Sequence, residues 1–366
     1  MEYRKVNDFV ICPVPSRSEL DMNEIHEIVM NTHNTWQPDR PISEIQENTI
    51  QGKLAELVIE NLLAENSMLR YISYDKLRKD GFSKHAPFDG IVYRRDISNA
   101  VLENIIDRIN SDVSESFEDC GIIRVDTREF MEEHGVYTIE IKSSLLQHPR
   151  DYRCMEHSIK TERTEKDYEA LAQYIEHFYD YFVYPHFCRN DIRISSFYDY
   201  TKYVRNQHKE FSTNTQKFLY ELMKIEYDNA CNIYTRVFFD PLTDEIIIPG
   251  YVIKSRFFEE PRIQKMPSPK SKNAVYYMYH IRNGSPILNI DNDEELLRWN
   301  KQAFYAKLFG AYQPDCPTCG KKLRIVETTR NQDPKQHKFL YVCDGCTAQS
   351  KWFTMNKIHP GNMAER

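Results

Sequence analysis

Glycine is scarce in this chain. Its 366 residues include eleven glycines, and none belongs to a Gly-x-x-x-x-Gly-Lys-Ser/Thr run. ATP hydrolysis through a phosphate-cradling loop of that kind is therefore excluded, and any motor belongs to a partner. No stretch of about eighteen apolar residues is present, the length a membrane span requires. The opening Met1-Glu-Tyr-Arg-Lys-Val6 has no apolar core of a secretory signal. A soluble, cytoplasmic protein with no membrane partner is expected. Twelve histidines occur without a His-x-x-x-His pair or a Cys/His/Asn set, so nothing supports a histidine-based phosphodiesterase or a cysteine protease. There is no internal repeat and no low-complexity tract. Positive charge is not in excess: the net charge of -7 excludes a generally basic nucleic-acid coat but leaves local basic grooves open.

What is present is enough apolar sequence for one large core with an appendage. Helical spacing runs from Glu19 to Asn31, and again from Ser43 to Glu65, where Ser43 and Gln46 form a capping-box pattern and Leu54, Leu57, Val58 and Leu62 supply an apolar stripe. Strands are expected at Tyr71 to Tyr74, Phe88 to Arg94 and Gly135 to Ser144, with an acidic helical insertion from Ile97 to Ile109. Helices follow at Asp167 to Phe182, Ser195 to Val204 and Thr213 to Tyr227, then strands at Ile233 to Phe239 and Glu245 to Ile253. Arg262 to Asn273 reads as a basic loop, Val275 to Ile281 as a strand and Asp293 to Phe309 as a last helix. Three segments result: a helical extension over 1–42, a main domain over 43–312 and a small tail over 313–366.

The chemistry concentrates in Val136-Tyr-Thr-Ile-Glu-Ile-Lys-Ser143. Strand alternation puts Glu140 and Lys142 on one face and Ile139 and Ile141 on the other. Two charges on a buried sheet are costly unless they are paired or hold a metal. Upstream, Asp89 opens a strand and is followed by Gly90, which permits close approach of a substrate or a neighbouring backbone. Across paired strands Asp89 and Glu140 can meet and bind Mg2+ or Mn2+ through oxygen, with the Ile141 carbonyl as a further ligand. Lys142 beside the metal can orient or deprotonate the attacking water and offset charge growing on a phosphate. Glu56, from the preceding helix, can complete the acidic cluster, with Glu60 one turn away as the alternative.

Gly52-x-x-x-Glu56 on a helix, Asp89-Gly90 and Glu140-Ile-Lys142 together resemble the PD-(D/E)XK nuclease superfamily over roughly residues 43 to 255. The resemblance implies an α/β fold with a restriction-endonuclease-like αβββαβ core and helical insertions. It also implies metal-dependent DNA cleavage, metal-ligand roles for Asp89 and Glu140, and the lysine role for Lys142. Gln173 on the following helix is an additional candidate by likeness to the glutamine and tyrosine helix of RecB-type nucleases.

Of nine cysteines, Cys316 and Cys319 form one Cys-x-x-Cys turn and Cys343 and Cys346 another, whereas the other five are scattered as core thiols of a reducing compartment. Two such turns supply four thiolates to a tetrahedral, structural Zn2+ with no open position for chemistry. Cys316 to Trp352 is similar to the zinc ribbons at the C-terminus of bacterial type I topoisomerases, which implies binding of single-stranded DNA. Lys321, Lys322, Arg324, Arg330, Lys335 and Lys338 offer charge, and Phe339, Tyr341, Trp352 and Phe353 offer stacking faces. The competing reading is that these aromatics form the module's own core and the ribbon is a brace.

A second basic cluster, Arg150, Arg153, Lys160, Arg163 and Lys166, follows the Glu-x-Lys strand and either grips phosphates or forms a mixed-charge exposed loop. The expected function is a Mg2+-dependent DNA endonuclease acting on double-stranded DNA, as a restriction or phage-defence effector. Its expected partners are a second copy in a homodimer and a separate ATPase or recognition subunit. The alternatives are a non-catalytic nucleic-acid-binding or complex-assembly protein, and a nuclease for RNA or branched DNA.

Overall fold

A computed structural model describes residues 2–35, 39–116, 121–147, 161–187, 193–259, 263–265, 274–297, 301–312, 315–316, 318–327, 339–345 and 353–354. The chain forms two compact units. The first holds Met1–Tyr181, Cys231–Ile253 and His280–Trp299, and the second Phe182–Ala230, Lys254–Tyr279 and Asn300–Arg366. Among the described residues no helix is long and apolar enough to cross a membrane.

The first unit begins with β1 (Arg4–Val6), β2 (Phe9–Pro13), α1 (Met22–Thr35), α2 (Ile42–Asn66), β3 (Leu69–Ser73) and α3 (Tyr74–Leu77). It continues through β4 (Gly90–Arg94), α4 (Asn99–Glu115), α5 (Val125–Glu133), β5 (Val136–Leu145) and α6 (Glu165–Phe178). Strand β6 (Asp180–Val183) carries the chain into the second unit, where α7 (Phe197–Gln207) and α8 (Thr215–Asn229) follow. Strands β7 (Ile233–Asp240), β8 (Glu245–Ile248) and β9 (Tyr251–Ile253) return to the first unit. The second unit then adds α9 (Lys254–Glu259), β10 (Ile263–Lys265) and β11 (Val275–His280). After α10 (Glu294–Leu297), helix α11 (Lys301–Tyr312) and strands β12 (Arg324–Glu327), β13 (Phe339–Val342) and β14 (Phe353–Thr354) complete the chain.

The fold is mixed α/β. Its largest sheet has the order β1-β2-β8-β7-β5-β4-β3, with β9 also on β7. Strand β4 runs antiparallel to both β3 and β5, whereas β5 and β7 run parallel, with Glu140 opposite Tyr234 and Lys142 opposite Arg236. Every residue of β7 is buried, as befits a central strand with both faces covered. Helix α2 lays Leu54, Val58, Ile59 and Leu62 on the sheet face that carries Tyr71, Val92, Ile139 and Ile141. Each such side chain contributes roughly 1.5–3 kcal/mol on burial. Elements α2, β3, β4, β5, α6 and β7 occur in that chain order within the first unit, with α3, α4 and α5 inserted among the strands and β6, α7 and α8 between α6 and β7.

Several expectations need correction. Residues 1–42 are not a purely helical extension, because β2 pairs with β8 and so builds the large sheet outward. Ser43 does not cap α2: the helix starts one residue earlier with Pro41 in the capping position and no side-chain cap bond. The helix expected up to Phe182 stops at Phe178, and residues 180–183 are strand. The strand expected from Glu245 to Ile253 is broken at Gly250. That glycine has φ +127°, and a Cβ there would lie 2.2 Å from the Ser285 carbonyl oxygen. Part of the expected basic loop is strand β10.

Candidate active site

Strand β4 is preceded by Asp89 and begins at Gly90, which pairs with Ile139 of β5. The Asp89 N–H donates to the Ile139 carbonyl at 3.1 Å, and the Ile141 N–H donates to Asp89 Oδ2 at 2.5 Å. Ile139 and Ile141 have the same parity, so the Ile141 carbonyl also faces the β4 edge. Gly90 is required by its neighbours: a Cβ would stand 2.3 Å from Tyr71 Cε2 and 2.6 Å from the Ile72 carbonyl oxygen. The close approach at this glycine is thus made by the neighbouring strand itself.

Glu140 and Lys142 share one face of β5, and the Lys142 ammonium donates to Glu140 Oε1. The second carboxylate oxygen of Glu140 faces the Cys231 thiol at 3.9 Å. Burial and the Glu140 carboxylate push that thiol up to about 12, so it stays protonated. The Asp89 carboxyl is held well above the usual carboxylate range, first by burial and then by Glu140; Glu56 adds to the rise, while Lys142 and the Ile141 N–H oppose it. Asp89, Glu140, Lys142 and Glu56 therefore act on one electrostatic centre.

Glu56 sits on α2, where its Oε2 accepts from Lys53 Nζ at 3.2 Å and from the Tyr71 hydroxyl at 3.1 Å. Burial raises its pKa, and Lys53 resists that rise. Glu60 instead pairs with Lys76 at 3.1 Å near the surface. Of the two helix glutamates, Glu56 is the one joined to the Asp89 region. Lys53, Tyr71 and Asp75 complete this wall, although no motif singles them out; the available signal is the place of Lys53 one helical turn before Glu56.

Two other candidates fall elsewhere. Gln173 is exposed on α6, opposite the buried Leu171, Tyr174 and Ile175. Arg163 is no phosphate grip: its side chain is wholly buried, 2.5 Å from Asp240 Oδ2. Lys166 is exposed, and Arg150, Arg153 and Lys160 lie outside the described residues.

In the tail, the sulfurs of Cys316, Cys319 and Cys343 lie within 4.8 Å of one another, and among the described residues this is the only group of three or more His, Cys, Asp or Glu so placed. The Thr318 and Gly345 N–H groups each point at a cysteine sulfur at 3.4 Å, in the manner of thiolate knuckles. Cys346 lies outside the described residues. Phe339 and Tyr341 are buried rather than offered to bases, and Phe339 packs on Tyr198 of α7 with ring centroids 5.5 Å apart. Arg324 and Lys322 are paired with Asp344 and Asp315. Trp352 lies outside the described residues. Gln216 of α8 donates to the carbonyl of Leu323, the residue before β12, at 3.2 Å.

The carboxylates of Asp89 and Glu140, with the Ile141 carbonyl, offer a hard-cation donor set, and the three sulfurs a soft one. Compared with family models, curated proteins and solved structures, the chain matches none.

Proposed function

We propose that this chain is a Mg2+- or Mn2+-dependent nuclease of PD-(D/E)XK type, hydrolysing phosphodiester bonds of double-stranded DNA in the cytoplasm as a restriction or phage-defence effector. The observation that carries the reading is the convergence of Asp89, Glu140 and Lys142 at the β4–β5 junction. The succession of α2, β3, β4, β5, α6 and β7, with the other elements as insertions and β5 parallel to β7, supports it.

Asp89 and Glu140, with the Ile141 carbonyl, would hold the cation. Bound there, the cation supplies Lewis acidity to a phosphate oxygen and lowers the pKa of water. The raised pKa of Asp89 fits this role, because like carboxylates crowded in a buried place are relieved by a cation. Engagement of Glu140 would free the Lys142 ammonium to orient the attacking water and offset charge on the phosphate. Attack forms a new P–O bond, breaks the ester P–O bond and leaves one phosphate end and one hydroxyl end. With one such centre per chain, cutting both strands calls for a second copy.

In the tail, Cys316, Cys319 and Cys343, with Cys346 as fourth ligand, would bind a structural Zn2+. Burial of Phe339 and Tyr341 favours the brace over the base-stacking platform.

The test is incubation of supercoiled plasmid with the full chain and MgCl2 or MnCl2. Wild type should nick and linearise it, and Lys142→Ala should lower the rate by at least about 100-fold. DNA binding without metal-dependent cleavage by wild type would favour a non-catalytic binding protein.

A further inference from the structure

We infer that Lys53 is a positioning residue of this centre, acting through Glu56 and the Tyr71 hydroxyl on the backbone of Asp89. The inference rests on the reading of Asp89 and Glu140 as metal-binding carboxylates.

Four elements bring acceptors to one ammonium. Lys53 Nζ lies 2.5 Å from Asp75 Oδ2, 3.2 Å from Glu56 Oε2, 3.2 Å from Ser73 Oγ and 3.5 Å from Glu24 Oε1. Its side chain is 13% exposed, and those of Glu56 and Asp75 are each 16% exposed. Lys76 and Glu60, further along the same cavity wall, make a pair that is 54% and 35% exposed. An exposed pair such as the latter is worth little, whereas a shielded network orders the groups within it.

The network leads to the centre. Glu56 accepts the Tyr71 hydroxyl, which also lies 3.1 Å from the Asp89 carbonyl oxygen. The Tyr71 ring occupies the space that a side chain at position 90 would need. Lys53 is thus connected, in three hydrogen-bonded steps through Glu56 and Tyr71, to the residue whose carboxylate latches β4 to β5. Without its cation, Glu56 loses the ammonium that holds its Oε2 beside the Tyr71 hydroxyl. The phenol then loses the partner that fixes it against Asp89.

The test is calorimetric titration of the full chain with MnCl2 alone. Lys53→Met and Tyr71→Phe should each weaken Mn2+ binding about tenfold, as expected for loss of one hydrogen bond to a charged group. The double variant should be no weaker than the weaker single variant, because both changes break one chain of contacts. Lys53→Arg should restore affinity to within about threefold, and Lys76→Met should match wild type. Wild-type affinity in Lys53→Met, additive losses in the double variant, or failure of the arginine rescue would each overturn the inference. If Lys53→Met does not fold, Tyr71→Phe decides: undiminished affinity there sinks it. No Mn2+ binding by wild type would remove the metal-site reading itself, and this inference with it.

Discussion

The Asp89 carboxylate accepts the backbone N–H of Ile141 at 2.5 Å. That bond lies one residue beyond Glu140 and one before Lys142, so the acid just before β4 is tied to the middle of the Glu-x-Lys tripeptide. A side chain that also helps define strand registration cannot drift from the catalytic candidates without loosening the sheet.

The pH dependence of stability follows from the raised pKa of Asp89. A carboxyl whose folded-state pKa exceeds its unfolded value of about 3.9 binds its proton more tightly when folded. The resulting stability is present at low pH and is lost as pH rises through the folded pKa. Asp89→Asn cannot ionise and escapes that loss. In EDTA at neutral pH its melting temperature should exceed that of wild type, and the gap should close in acid. MnCl2 should raise the melting temperature of wild type and leave the variant unmoved. A variant less stable than wild type at neutral pH without metal would contradict this account.

Arg163 and Asp240 predict a purely structural phenotype. Both side chains are completely buried, and Arg163 also approaches Glu245 at 3.6 Å. Arg163→Met leaves Asp240 uncompensated and should cost about 3–5 kcal/mol in chemical denaturation. Arg163→Met with Asp240→Asn should recover much of that loss. DNA affinity of either folded variant should be unchanged; a selective loss of DNA binding would restore Arg163 to the phosphate-gripping cluster.

The cysteine cluster predicts a metal content. Purified protein should carry about one equivalent of zinc per chain by elemental analysis, and Cys319→Ser should lose most of it. Phe339→Ala should lower thermal stability, since Phe339 is 4% exposed and packs on Tyr198. Zinc-free protein of unchanged stability would rule out a structural metal.

Local patterns reached the parts of the fold whose periodicity matches their burial. The alternation in Val136 to Lys142 locates β5 and both charges on one face, and the apolar spacing of Leu54, Val58 and Leu62 locates α2. Strand β6 was hidden because Phe178, Tyr181 and Phe182 continue the apolar spacing of α6 past its end. The short strands β1 and β2 were hidden because they are held in the sheet through β2 alone, whose pairing with β8 joins positions more than two hundred residues apart. Asp89 and Glu140 were legible as acids on strands. The Lys53, Asp75 and Tyr71 wall was not, since it exists only once α2 crosses β3 and brings three unremarkable positions within hydrogen-bond reach.

The most direct measurement is anomalous diffraction from crystals of the full chain soaked in MnCl2. A peak within about 2.0–2.6 Å of carboxylate oxygens from both Asp89 and Glu140 is the predicted result. Manganese found only at surface carboxylates, with these two side chains still engaged by Ile141 and Lys142, would contradict the proposed centre.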